Sequence, residues 1–301
     1  MKKYVGIDLG GTNVRAALIN AEGEVLALNK SASNPEKGAE HVVKVIVDLV
    51  RSLPNQEEAE AIGIAVPGLI DVEQGTIKAA NNLSKLVDYP LTEKLSGELD
   101  GRRVVLANDG KAAAIGEALA GAGKGNESVY YVTISTGIGG AAVIQGKVLM
   151  GRHGFAGEVG NMIVNERDSQ YGIMNKGAVE SGASGTAVTR KGKERIDASI
   201  QHAGEVFERA AQHHEEALKI VDEMTDDLSN LLSAISLVID PDVIVLGGGV
   251  MKGADVFMPA LREKWRSKLF EAMRDVELVP AKLDEPGIVG AAMYAMTWEE
   301  K

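Results

Sequence analysis

Short apolar runs broken by glycine turns open the chain. Residues 4–8 read as a buried strand, glycines 10 and 11 turn the chain, and residues 14–20 read as a second strand. A turn at 21–23 sends residues 24–29 back as a third. The period then changes. Over 41–53 the apolar positions Val42, Val45, Ile46, Leu49 and Val50 recur at helical spacing. Residues 61–66 form an apolar strand ended by Pro67 and Gly68. A short helix is expected at 91–99, a strand at 104–107, and an Ala-rich helix from Asp109 to about 120. The opening pattern then returns, as strand 129–134, glycine-rich turn 135–140, strand 141–144, turn 145–146 and strand 147–150. Segments 4–26 and 131–149 are thus duplicates in pattern, though weak in residue identity. Residues 204–239 are helical, stopped at Asp240-Pro241, and are followed by a strand at 243–246 and three glycines, Gly247, Gly248 and Gly249. A helix at 254–270, a strand at 276–280 and a last helix at 289–297 complete the pattern. Strands alternating with helices predict an α/β protein. The duplication predicts two similar lobes with a cleft between them.

Composition narrows the function classes. The chain has 301 residues, 45% of them hydrophobic and 25% charged, which is ordinary for a globular protein with a real core. Glycine is the outlier at 35 residues, well above the ~7% usual share. Lys and Arg number 32 against 43 Asp and Glu, a formal net charge of −11. No basic face for nucleic acid is apparent, and the densest basic stretch, 190–195, reads as a solvated helix start or loop. With no cysteine, disulfides and thiolate metal sites are excluded. No apolar stretch reaches the ~18 residues of a membrane helix, so the expected location is the cytoplasm, with no membrane partner.

Four motifs carry candidate chemistry. In Asp8-Leu9-Gly10-Gly11-Thr12-Asn13 a carboxylate at a strand end precedes a glycine turn, where backbone N–H groups can face phosphate oxygens. Asp8 can there hold a magnesium ion through water; the plainer reading is a hairpin with a capping Asp. Ser135-Thr136-Gly137-Ile138-Gly139-Gly140 stands at the matching place in the second repeat, and the pair would clamp a polyphosphate. Gly247 to Gly249 admit a flat ligand, or simply a packed helix. Asn108-Asp109 lies at a strand-to-helix junction, where Asp109 either caps the helix or serves as general base at a cleft mouth. Phosphoryl transfer to an alcohol needs positioning, charge neutralisation and such a proton acceptor.

These motifs together resemble the ROK family of sugar kinases and sugar-responsive repressors, within the hexokinase and actin-like ATPase superfamily. The resemblance covers nearly the whole chain. It runs through the first phosphate loop at 6–12, the catalytic stretch at 108–117, the second phosphate loop continuing into an ExGH-like motif at 135–160, and the adenosine-binding turn at 243–250. It implies an α/β fold of two actin-like ATPase (ribonuclease H-like) lobes around a cleft. Residues 1–118 with 289–301 would form the smaller lobe, and 119–288 the larger. It implies ATP and Mg2+ as cofactors, a homodimer, and a hexose as substrate. Glucose leads, with N-acetylmannosamine, fructose, mannose or a β-glucoside as alternatives. Residue by residue, Asp109 would take the proton from the sugar hydroxyl. Gly68, Asn82, Asn108, Asp109, Glu158, Asn161 and Glu180 would line the sugar. Asp8, Gly10, Gly11, Thr12, Asn13, Thr136, Gly137, Gly248 and Gly249 would cradle ATP and its metal.

The chain departs from the family at the zinc site. The histidine of ExGH is Asn161, and the three cysteines of CxCGxxGCxE fall on Tyr171, Ile173 and Ala178. The expectation is a zinc-free design, with Asn161 keeping a sugar contact by hydrogen bonding and Ile173 and Ala178 packing in place of the metal. A repressor of the family would carry a helix-turn-helix ahead of the phosphate loop, and with Asp8 seven residues from the start none is expected here. A silent sugar-binding module would be expected to lack Asp109 or the loop glycines, and all are present. Hinges are expected at 118–125 and at Pro286-Gly287.

Overall fold

A computed structural model describes residues 2–167 and 170–298. Met1 and residues 299–301 of the expected first lobe lie outside them. The first sheet begins with β1 (Lys3–Leu9), β2 (Asn13–Asn20) and β3 (Val25–Ala32), antiparallel in sequence. Then come α1 (Ala39–Arg51), β4 (Ala59–Val66), the small hairpin β5 (Leu69–Asp71) and β6 (Thr76–Ala79), α2 (Leu91–Glu98), β7 (Arg103–Asn108) and α3 (Asp109–Leu119). The strand order is β3-β2-β1-β4-β7, with β1, β4 and β7 parallel.

The second sheet opens with β8 (Ser128–Ile134), β9 (Ile138–Ile144) and β10 (Lys147–Val148). Four helices follow: α4 (Val179–Ala183), α5 (Gly185–Arg195), α6 (Ala203–Ala211) and α7 (Glu215–Ile239). After them come β11 (Val243–Gly247), α8 (Ala254–Ser267), β12 (Glu277–Pro280) and α9 (Pro286–Thr297). Its order, β10-β9-β8-β11-β12, repeats the first sheet place for place, with β8, β11 and β12 parallel. The duplicated pattern in the sequence is therefore a duplicated topology.

The chain divides into two compact units, 1–127 with 143–156 and 282–301, and 128–142 with 157–281. The sequence reading placed the breaks at 118 and 289. Each unit has its own core, one on Val5, Ile7, Ile46, Ile62 and Leu106, the other on Val132, Phe207, Leu231, Phe257 and Trp265. The glycine excess has a packing cause in the first unit. The backbone of α9 lies against Gly6 of β1, Gly63 of β4 and Gly116 of α3, and a Cβ at any of the three would overlap it. At Gly290 the same holds from the helix side, against the carbonyl of Ala112. Among the described residues no helix is long and apolar enough to cross a membrane.

Candidate active site

In the first unit the site grows from the carboxyl ends of parallel strands, the edge where open α/β sheets bind ligands. The register pairs Asp8 of β1 with Ala65 of β4, and Val66 with Asn108 of β7. The turns after these strands therefore come to one edge. Gly10, Gly11, Thr12 and Asn13 follow β1, Gly68 follows β4, and Asp109 follows β7. The first turn is closed by the Gly10 N–H donating to the Asn13 carbonyl at 2.9 Å. Gly11 packs against Asn82, whose Cβ would lie 2.6 Å from any Cβ at position 11. Gly68 has φ of 93°, and a side chain there would overlap the carbonyl of Ala79. Only glycine meets both demands.

Asn108, rather than Asp109, caps α3. It has extended backbone (φ −65°, ψ 143°), and its Oδ1 accepts from the N–H groups of Gly110 at 3.0 Å and Lys111 at 3.2 Å. Its amide donates to the Gly68 carbonyl at 3.1 Å, tying the end of β7 to the turn after β4. Asp109 is the first helical residue and is exposed. The plain reading of Asp109 as a cap thus moves one residue back. A carboxylate in the first turn also sits favourably in the helix dipole. Lys111 is buried and donates to the carbonyl of Gly154.

Asp8 is ion-paired. Arg15, its cross-strand partner on β2, donates to Asp8 Oδ2 at 2.5 Å and to Glu285 Oε2 at 2.5 Å. Burial works against the Arg15 charge, but the two carboxylates outweigh it and hold its pKa above the ordinary value.

In the second unit the hairpin between β8 and β9 is closed by the Ser135 N–H donating to Gly137 O at 2.8 Å. Glu180 supports it from below. Its Oε2 accepts from the Ile138 N–H at 2.8 Å and occupies the space a side chain at Gly137 would need. Glu158 is exposed and leads into a 3₁₀ turn over 159–161, whose Gly160 rests on the Ile138 carbonyl. The three glycines after β11 divide in role. Gly247 and Gly248 have their Cβ positions taken by the Tyr131 ring and the Ile134 backbone, so packing explains them. Gly249 faces a cavity of about 1120 Å³.

That cavity lies wholly within the second unit. Ser135 and Thr136 line it from the hairpin, Thr189, Arg190 and Lys193 from α5, Gly204 and Phe207 from α6, and Lys252 from the turn before α8. Its size suits a nucleoside-sized ligand. Thr136 and Gly249, which the sequence resemblance assigns to an ATP cradle, are among its lining residues; the α5 and α6 residues carried no such expectation. Residues 190–195, expected as a solvated helix start or loop, are the C-terminal half of α5, and Lys191 among them is buried against Glu223.

The zinc positions do not offer a donor set. Asn161 Oδ1 accepts from the Asn175 N–H at 2.6 Å. The Tyr171 ring carries the Arg190 guanidinium 5.7 Å from its centroid, a cation–π contact. Ala178 is buried as expected, but Ile173 is 91% exposed and fills no metal's place. An amide, a phenol and two aliphatic side chains make a poor zinc site. Elemental analysis should find no stoichiometric zinc, and a zinc chelator with magnesium supplied should leave activity and Tm unchanged. A full zinc equivalent in purified protein would overturn this.

The ROK family model matches residues 4–297. The chain belongs to the ROK family. It is 30% identical over 305 residues to a glucokinase of Thermotoga maritima, covering 96% of each chain. Among solved structures it resembles a ROK hexokinase from Thermus thermophilus with a TM-score of 0.88, at 32% identity over 98% of both chains. A ROK family glucokinase from Streptomyces griseus, in complex with glucose and AMPPNP, superposes with a TM-score of 0.77 at 30% identity, covering 98% of this chain and all of that one. The fold is thus the actin-like ATPase fold of these kinases.

Proposed function

We propose that this protein is a cytoplasmic, ATP-dependent sugar kinase that transfers the γ-phosphate to a hexose hydroxyl, with glucose as the first substrate and glucose 6-phosphate as its product. The observation that carries the reading is the division of labour at 108–109. Asn108 holds the helix cap, and the Asp109 carboxylate stands exposed at the strand edge beside the glycine turns. Asp109 accepts the proton of the attacking sugar hydroxyl as the new oxygen–phosphorus bond forms and the bond between the γ-phosphorus and the departing ADP breaks. Asn108, fixed through Gly68, orients the hydroxyl, and Asn82 and Gly68 line the same edge. Glu158, Asn161 and Glu180 bind further sugar hydroxyls. The turns at 10–13 and 136–137, apart from the Gly10 N–H that closes the first, present N–H groups to phosphate oxygens. The cavity beside Thr136 and Gly249 takes the adenosine. Magnesium, when bound, neutralises phosphate charge. Asp8 would hold it through water, since Mg2+ dehydrates reluctantly and Arg15 already engages the carboxylate.

ADP release should be measured with Mg·ATP and glucose, N-acetylmannosamine, fructose, mannose or a β-glucoside. We expect sugar-dependent ADP formation, fastest with glucose, and slow hydrolysis without sugar. Failure of every sugar to raise ADP release would overturn the kinase reading; preference for another sugar would correct only the substrate.

A further inference from the structure

Helix α7 carries a charged and polar face turned onto the loop that follows Asn161. Asp227 and Asn230, three residues apart, share that face, one turn on from Glu223, whose carboxylate pairs with Lys191 and Arg195 of α5 and whose carbonyl meets the loop. Asp227 has no exposed surface. Its Oδ1 pairs with the Arg167 guanidinium at 2.6 Å and accepts from the Asn165 amide at 2.9 Å. The Asn230 amide donates to the Val164 carbonyl at 3.0 Å, and Arg167 donates to the Glu223 carbonyl at 3.0 Å. Loop positions 164, 165 and 167 are therefore each tied to this face. Asn165 adds a local lock, its Oδ1 accepting from the Arg167 N–H at 3.0 Å.

We propose that this face of α7 anchors the two loop limbs at 161–167 and 170–179 in their sugar-binding shape, with Asp227 as the positioning residue. The inference rests on the reading of Asn161 and Glu180 as sugar ligands. A buried carboxylate is a poor device for stability alone, since an apolar side chain of similar size packs at no desolvation cost. Its value is geometric: it accepts only from donors placed correctly. The loop then carries that placement to the ligands. The Val164 and Asn165 N–H groups donate to Gly177 O at 2.9 and 3.4 Å, Ile163 bridges Ala178, and the Val179 N–H donates to Met162 O at 2.9 Å. Gly177 fits because a side chain there would overlap the Asn165 carbonyl. Asn161 and Glu180 flank the two limbs of this ladder, so a shift at the anchor moves both.

The test uses Asp227→Asn, Arg167→Gln and the double variant, each checked for folding by circular dichroism. Hydrogen exchange over 161–179, without substrate, should speed up in the single variants while the rest of the chain stays as in wild type. The KM for sugar should rise about tenfold, as for supporting contacts behind other ligand shells, with kcat and the KM for ATP unchanged. The double variant, which leaves no unpaired charge, should cost less than the two singles summed. Wild-type exchange in a folded Asp227→Asn variant overturns the anchor, as does faster exchange with an unmoved sugar KM. If Asp227→Asn does not fold, Arg167→Gln carries the same comparison from the exposed partner. If the wild-type enzyme phosphorylates no sugar, the kinase reading falls, and the exchange measurement still decides whether α7 holds the loop.

Discussion

Asp109→Asn should lower turnover about 10²- to 10⁴-fold, the usual contribution of a general base, while the sugar still binds. The amide has the size and shape of the carboxylate and can still hydrogen-bond a hydroxyl, but it cannot take the proton. The local fold should survive, because the cap belongs to Asn108, whose Oδ1 accepts from Gly110 and Lys111. The neighbouring substitution therefore serves as a contrast. Asn108→Ala removes those two acceptor contacts and the tie to Gly68, and should cost about 1 kcal/mol of stability in the manner of a lost N-cap. Its loss of activity should appear together with a lower Tm, whereas Asp109→Asn should lose activity at an unchanged Tm. An Asp109→Asn enzyme retaining more than about a tenth of the wild-type rate would remove Asp109 from the base role, since a general base typically contributes about 10²-fold or more.

The frame around this site was readable from the chain because it rests on short-range signals. Alternating and continuous apolar runs marked the strands, and glycine marked the turns between them. What escaped depends on distant partners. The hairpin β5–β6 is too short to carry a period. Helix α5 has no apolar stripe to announce it. Its buried residues are Ala187, Val188, Lys191 and Gly192, and the lysine meets Glu223, far along the chain on α7, at 3.1 Å. Gly192 is present because Val206 and Ile200 press on it. The α5–α6 wall of the cavity was invisible for the same reason. The capping error at 108–109 has a different origin. Both residues are good N-caps, and only the backbone angles at Asn108 choose between them. Ile173 was expected to pack because it is apolar, but nothing in the local sequence says that its loop turns outward.

Glu117 should prove as important to stability as Asp109 is to turnover. Its carboxylate is fully buried at the end of α3. Oε2 accepts from the Ala122 N–H at 2.8 Å; Oε1 accepts from Lys282 at 3.0 Å and Leu283 at 2.8 Å. These donors lie in segments 118–125 and 282–288, beside the points where the chain leaves and re-enters the first unit. Glycine at 121, 123 and 125 suggests a relaxed backbone there. Instead Gly121 is bonded to the Gly116 carbonyl and packs on the Glu117 carboxylate, and the Gly123 N–H donates to the Glu117 carbonyl at 2.9 Å. Glu117→Ala leaves three backbone donors without their acceptor. At roughly 1–3 kcal/mol for each buried donor, reduced where water can enter, the expected loss is about 2–5 kcal/mol. Glu117→Gln should be almost as damaging despite its shape. Both oxygens accept, so an amide in either orientation turns its NH2 toward a backbone N–H. Thermal melting should show Glu117→Ala and Glu117→Gln falling together by on the order of 10 °C. A Gln variant that melts with wild type would mean that one oxygen suffices and that these segments are held by other contacts.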